Sequence, residues 1–284
     1  MPKISLFVFM LELYRGTGMF GYDSFHTLTT VSNDALANVG TNLLLVCAFL
    51  SLVIGTVVGL GQYRIKRLFA YSTISHVGFL LLSLAISSEE SVEAFLFYII
   101  QYSLTNINAF FVLLAFGYLI NGAPYTMNSS QGLTARGHTR HTEYNSGLDV
   151  QFISELRGQF RYNPVLGLSL AVCLFSMAGV PPLVGFFAKY TVLYTAIHNG
   201  YMFLAIVAIL ASVVSAVYYL RVIRVIHFDV NNHPFAHVYN DSVTVSSVHS
   251  YVIATLTLFV MLFAANPNLL LNSTSIMALS LYAT

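Results

Sequence analysis

Long apolar runs of helical length alternate along the chain with shorter polar stretches. A bilayer core about 30 Å thick takes about 20 apolar residues of helix. Six runs meet that length: 41–61, 68–87, 92–120, 163–198, 201–226 and 249–266. A seventh, KISLFVFMLELYRGTGMF at 3–20, is a partial span. None has the alternating pattern of a membrane barrel strand, so the pattern predicts an all-α polytopic membrane protein. The run at 163–198 is too long for one simple crossing, about 54 Å as a straight helix. It carries MAGVPPLVGFFAKY at 177–190, with Gly179, Pro181, Pro182 and Gly185 interrupting the apolar residues. One discontinuous transmembrane helix is therefore expected, its break inside the membrane.

Within the runs, small and polar residues recur at helical spacing. Gly55 and Gly59 form a GxxxG, which lets backbones approach closely. Ser72, Ser75 and His76 share one face of their run, Gln101, Thr105 and Asn108 another, and Ser212, Ser215 and Tyr219 a third. Each stripe alone reads as glue between helices, while three together point to a hydrated interior. The segment QGLTARGHTRHTEYNSG reads as a solvated part of a long polar loop at 121–162, and FISELRGQF at its end as a short interfacial helix.

Composition agrees with the pattern. Only 8% of residues are Asp, Glu, Lys or Arg and 57% are apolar, against about 25% charged in soluble domains. That is too little charge to cover a water-facing surface, and a net charge of +1 argues against nucleic acid as a partner. Cys47 and Cys173 stand far apart inside apolar runs, which predicts neither a disulfide framework nor a metal site. MPKISLFVFM is followed by no small-residue cleavage site, so no cleavable signal is read.

If each run crosses once, Arg64, Lys66, Arg67, Arg136, Arg140, Arg157, Arg161, Arg221 and Arg224 fall on one side and only Arg15 on the other. Nine against one is the asymmetry of the positive-inside rule. It supports a single crossing for the broken run.

Ionisable groups at membrane depth cost about 2.5–3.5 kcal/mol on insertion scales and are functional candidates by default. Lys189 follows the prolines by two helical turns, with apolar residues on both sides. Burial disfavours the charged form of a lysine, so water or a neighbouring charge can switch it between protonated and neutral. Prolines also free carbonyls of the preceding turn, and irregular backbone is tolerated in a membrane only where protein or water covers it. The break and Lys189 thus read as one device, a hydrated gap beside a switchable proton carrier. Lys3 reads either as a snorkelling residue at a helix end or as part of that device. Glu12 reads either as a local ion pair with Arg15 or as a transport group, and His76 either as a relay or as a hydrogen-bonded core residue.

The stretches KRLFAYSTISHVGFLLL (66–82) and SMAGVPPLVGFFAKY (176–190) resemble the antiporter-like membrane subunits of respiratory complex I, in the branch shared by mitochondrial subunit 2 and bacterial subunit N. MPKISLFVFMLELY, YSLTNINAFFVLLAFGY and SAVYYLRVIRVIHFD fit the same branch, with a fungal mitochondrial flavour. The resemblance covers nearly the whole chain, the loop at about 124–148 least. It implies an antiporter-like helical bundle over a single transmembrane domain, 1–284, similar to the C-terminal half of the family. It further implies proton translocation through buried lysines, coupled to electron transfer elsewhere in the complex. Lys189 resembles the lysine of the family's second broken helix, Lys3 the central lysine, and His76 a histidine recurring in the motif.

What else the resemblance implies is a mitochondrial inner-membrane, multi-pass protein, with the basic loops, 121–162 among them, on the matrix side. Its partners are the other membrane-arm subunits and the phospholipid bilayer. It implies no cofactor on this chain, since NADH, FMN, iron–sulfur clusters and ubiquinone belong to other subunits, and it makes the chain a non-redox part of an NADH:ubiquinone reductase. On the family pattern the chain begins at the eighth helix, and it contains no tryptophan. Many mitochondria read UGA as tryptophan, so standard-code translation would give a tryptophan-free piece with an internal methionine as Met1. A split gene or a truncated record is the resulting expectation. Three other readings stay open: a subunit of a multi-subunit cation/proton antiporter, a structural scaffold whose lysines are remnants and, more weakly, a haem carrier, for which the spans offer no convincing pair of facing histidines.

Overall fold

The computed structural model describes residues 2–16, 33–86, 88–121, 150–229, 246–263 and 266–283. Among the described residues ten α-helices follow one another: α1 Pro2–Gly16, α2 Asn33–Leu60, α3 Ile65–Ile86, α4 Glu89–Asn121, α5 Gln159–Tyr162, α6 Pro164–Ala178, α7 Val184–His198, α8 Met202–His227, α9 Ser247–Leu262 and α10 Asn268–Ala283. A single turn of 3-10 helix, Ile153–Leu156, precedes α5. By length and apolar character, α2 (from Gly40), α3, α4 (to Ile120) and α8 can each cross a membrane, and α1, α6, α9 and α10 are shorter apolar helices. The long run is divided as its prolines dictate, into α6 and α7. The segment FISELRGQF forms two single turns instead of one helix. Nothing past residue 266 was expected from the apolar pattern, yet α10 lies there. Its asparagines, serines and one threonine dilute the apolar signal below that of a span.

Helix α2 packs along α3 and α8 because glycines let it come close. A Cβ on Gly55 would lie 2.5 Å from the backbone nitrogen of Ser75, and one on Gly59 would lie 3.2 Å from the Tyr218 ring. Helix α4 is central and touches α3, α6, α7, α9 and α10.

The buried apolar residues form two clusters stacked along the helices. One holds Phe79–Ile86 of α3, Val92–Tyr102 of α4, the inner face of α7 and the start of α8. The other holds Ile65–Phe69 of α3, Ala109–Phe116 of α4, Leu170–Ala178 of α6 and Tyr218–Ile226 of α8. Buried Ser72, Thr73, Ser75, His76, Thr105, Asn108 and Ser215 fall between them in chain order, so the bundle has a polar belt between two apolar layers. The break between α6 and α7 lies at the same level, because α6 belongs to one layer and α7 to the other.

The two ends of the bundle differ in charge. Arg64 stacks over Phe152, Arg221 stacks over Tyr63 and reaches the Leu60 carbonyl at 3.5 Å, and Arg157 pairs with Asp229 at 3.7 Å. These contacts gather the ends of α2 and α8, the start of α3 and the 150–163 segment at one basic end. The opposite end begins α4 with Glu89 and Glu90. Arg136 and Arg140 lie outside the described residues.

Candidate functional site

Helix α6 stops where the sequence provides a left-handed residue. Gly179 has φ 87°; its N–H bonds the Phe175 and Ser176 carbonyls, and the Val180 N–H returns to Phe175 at 3.1 Å. This is a Schellman-type ending. In a continued helix the Ala178 carbonyl would accept from the N–H four residues on, but residue 182 is a proline and has none. Its acceptor capacity is taken up by Lys189 instead, whose Nζ donates to it at 2.9 Å.

Helix α7 begins without a cap of its own, since Leu183 offers no side-chain acceptor. Ser176 supplies one from across the break: its Oγ accepts the Gly185 N–H at 3.2 Å. Gly185 is required by contact rather than by dihedral angle, because a Cβ there would sit 1.8 Å from the Ser176 carbonyl oxygen. Gln101 of α4 donates to the same Ser176 hydroxyl at 3.5 Å, so three helices meet at the break.

Lys189 is 7% exposed. Its ammonium lies at the C-terminal end of α6, where the helix dipole favours positive charge, and over the Phe79 ring at 5.7 Å from the centroid. His76 precedes Phe79 by three residues on α3. Both its ring nitrogens are engaged: Nδ1 with the Tyr98 hydroxyl at 2.7 Å and Nε2 with the Tyr219 hydroxyl at 3.1 Å. The Tyr219 hydroxyl also bonds Ser72, and Tyr102, whose ring lies 4.7 Å from the imidazole, donates to Thr73 at 3.0 Å. A buried polar chain therefore links α3, α4 and α8.

A second polar group lies between α4 and α6, where Gln101 also reaches Thr105 at 3.5 Å and Asn108 donates to the Cys173 sulfur at 3.2 Å. Asn108 Oδ1 and the Tyr218 hydroxyl, both buried, make no hydrogen bond among the described residues. Each can take a further bond, for which water is the ordinary partner at such sites.

The geometry thus brings Lys189 and His76 together with the break residues Gly179, Pro181, Pro182 and Gly185. It does not bring in Glu12, which is exposed on α1 with no hydrogen bond or ion pair to this site among the described residues. Lys3 falls in the first turn of α1, and its side chain lies outside the described residues, as does that of Arg15. Ser176, Tyr98 and Phe79 escaped the sequence reading. Tyr98 stands three residues before Gln101 and Phe79 three after His76, so extending each polar stripe by one turn finds them. Among the described residues, no three His, Cys, Asp or Glu side chains converge as metal ligands would.

Chemically, the site holds an amine in apolar surroundings beside a hydrogen-bonded imidazole, with hydroxyls and amides leading away from it. That arrangement suits proton transfer.

A family model described as NADH:quinone oxidoreductase/Mrp antiporter, TM matches residues 18–215. The chain belongs to that family. Among relatives of this antiporter family, the NADH-ubiquinone oxidoreductase chain 2 of Rhizopus oryzae is 50% identical over 99% of this chain and 51% of its own length. The NADH-quinone oxidoreductase subunit N of Nitrosomonas europaea is 34% identical over 66% of this chain and 33% of its own. The chain spans about half the length of the first of these and a third of the second. A chain of respiratory complex I from Thermus thermophilus matches with a TM-score of 0.61 and 26% identity, covering 84% of this chain and 47% of that one. The Mrp complex of Dietzia shares the fold, with a TM-score of 0.65 at 16% identity over 87% of this chain and 49% of that one. The protein is accordingly an all-α, antiporter-like membrane bundle of the complex I type.

Proposed function

We propose that this chain is a proton-translocating membrane subunit of NADH:ubiquinone oxidoreductase, coupling electron transfer elsewhere in the complex to proton movement through Lys189. The observation that carries the reading is the buried Lys189 ammonium on the carbonyl that the proline break sets free, 2.9 Å away. An amine that gains or loses a proton there gains or loses its attraction to the end of α6, so proton transfer and local geometry are coupled. His76, held by two tyrosine hydroxyls, is the next station. Lys3 is proposed as the central lysine and Glu12 as a further transfer group.

The chain contributes no redox chemistry in this reading. NADH, FMN, iron–sulfur clusters and ubiquinone are held by other subunits, and its partners are the other membrane-arm subunits and the phospholipid bilayer. The basic end at Arg64, Arg157 and Arg221 faces the mitochondrial matrix, with the chain in the inner membrane, in keeping with the positive-inside rule.

The test is Lys189→Ala in the assembled complex. Loss of NADH-driven proton pumping in sealed vesicles, with assembly intact on native gels, supports the reading; unchanged pumping removes it. A second reading, a subunit of a multi-subunit cation/proton antiporter, draws on the fold shared with the Mrp complex. It is favoured if the protein's presence tracks sodium gradients and not NADH oxidation.

A further inference from the structure

Phe79 contributes only packing to the account so far, yet it touches both halves of the site. Its ring is 1% exposed and faces the Lys189 ammonium. On the same ring Tyr98 stacks at 5.8 Å with an interplanar angle of 18°, and Tyr98 is the residue that bonds His76 Nδ1. Phe79 follows His76 by three residues on α3, so ring and imidazole share a helix face.

The two contacts of Lys189 Nζ respond differently to its proton. The Ala178 carbonyl accepts an N–H from an amine or an ammonium. An aromatic face attracts the cation through its quadrupole and offers a neutral amine nothing comparable. Among the described residues no carboxylate pairs with Lys189 to take over that role. Beside the dipole of α6, the ring is therefore the side-chain contact that distinguishes the two states.

We propose that Phe79 is a positioning residue for proton transfer at Lys189. Its ring holds the protonated side chain at the end of α6, apart from the His76–Tyr98 pair, and lets it go once the proton has left. The lysine is thereby latched in one charge state and mobile in the other. This rests on the proton-translocating reading above.

The experiment compares Phe79→Leu, Phe79→Tyr and Lys189→Ala in the assembled complex in sealed vesicles, reading the initial rate of NADH-driven proton pumping. Phe79→Leu keeps apolar volume without a π face and is expected to lower the rate about 10-fold, the scale of one desolvated cation–π contact. Phe79→Tyr keeps the π face and should stay within about 2-fold of the parent. If Phe79→Leu fails to assemble, Phe79→Met takes its place and is read in the same way. Normal pumping by the ring-less variant overturns the proposal, as does an equal loss in the leucine and tyrosine variants, which would mark a purely steric role. Normal pumping by Lys189→Ala instead overturns the translocation reading itself.

Discussion

The side chain of Lys189 reaches back eleven residues to the carbonyl of Ala178, closing at 2.9 Å the gap that the prolines open between α6 and α7. A charge in this place acts against stability, and in the proposed reading it serves proton transfer. Lys189→Met separates the two. Losing the donor leaves a buried carbonyl unpaired, at about 1–3 kcal/mol. Removing a buried charge returns several kcal/mol of desolvation. The second effect is larger, so the thermal unfolding midpoint of the assembled complex is expected to hold or rise. Proton pumping should fall about 10²-fold or more, as for the loss of a proton-transfer group. A clearly lowered midpoint would show that the lysine is a net structural support.

Gly185→Ala tests the closeness of the break. The new Cβ would meet the Ser176 carbonyl oxygen at 1.8 Å, whereas at Gly61 the nearest atom is the Val58 oxygen at 3.9 Å. The start of α7 must therefore move, at a cost of about 1–3 kcal/mol or more, and the Gly185–Ser176 hydrogen bond goes with it. Gly61→Ala should change stability by less than about 0.5 kcal/mol. Yields of assembled complex and its unfolding midpoint measure both; equal behaviour of the two variants would mean the break is compliant.

His76 joins Tyr98 and Tyr219, which come from different helices. Replacing either tyrosine by phenylalanine keeps the ring and removes the hydroxyl, at about 1–3 kcal/mol for the partner left unpaired. Because both act through one imidazole, the double variant should depart from additivity by about 0.5–3 kcal/mol. A thermal-unfolding double-mutant cycle reads this directly, and strict additivity would argue that the two bonds are independent.

The ion pair of Arg157 and Asp229 is a contrasting case. The side chains are 54% and 33% exposed at a separation of 3.7 Å, so solvent screens them. Asp229→Ala should shift stability by less than about 1 kcal/mol, and raising the salt concentration should leave the difference small. A larger loss would show that this pair anchors the 150–163 segment to α8.

The sequence announced the break but not its partners. Two prolines, a glycine on either side and a lysine beyond them are local facts, and they were enough to place a discontinuity within an apolar run. That Ala178 would lack its helical donor follows from Pro182 alone. Which group would satisfy it does not, because Lys189 reaches it only if α7 folds back over the end of α6. The same holds for His76. Its stripe with Ser72 and Ser75 is a matter of helical period, but Tyr98 and Tyr219 stand 22 and 143 residues away along the chain. Helix α10 went unread because its polar residues weaken the apolar signal; its length of 16 is the same as that of α9, whose run was expected.

By itself, then, the sequence determined that this is a membrane protein, how its apolar runs become helices, where one of them is interrupted and which faces are polar. All of these depend on composition and periodicity over a few turns. Only the tertiary structure decided that Ser176 caps α7, that Phe79 covers the ammonium and that Glu12 stands apart from the site. Such choices rest on backbones meeting at van der Waals distance, as at Gly55 with Ser75 and at Gly185 with Ser176. Contacts between residues distant along the chain leave no mark on a one-dimensional pattern.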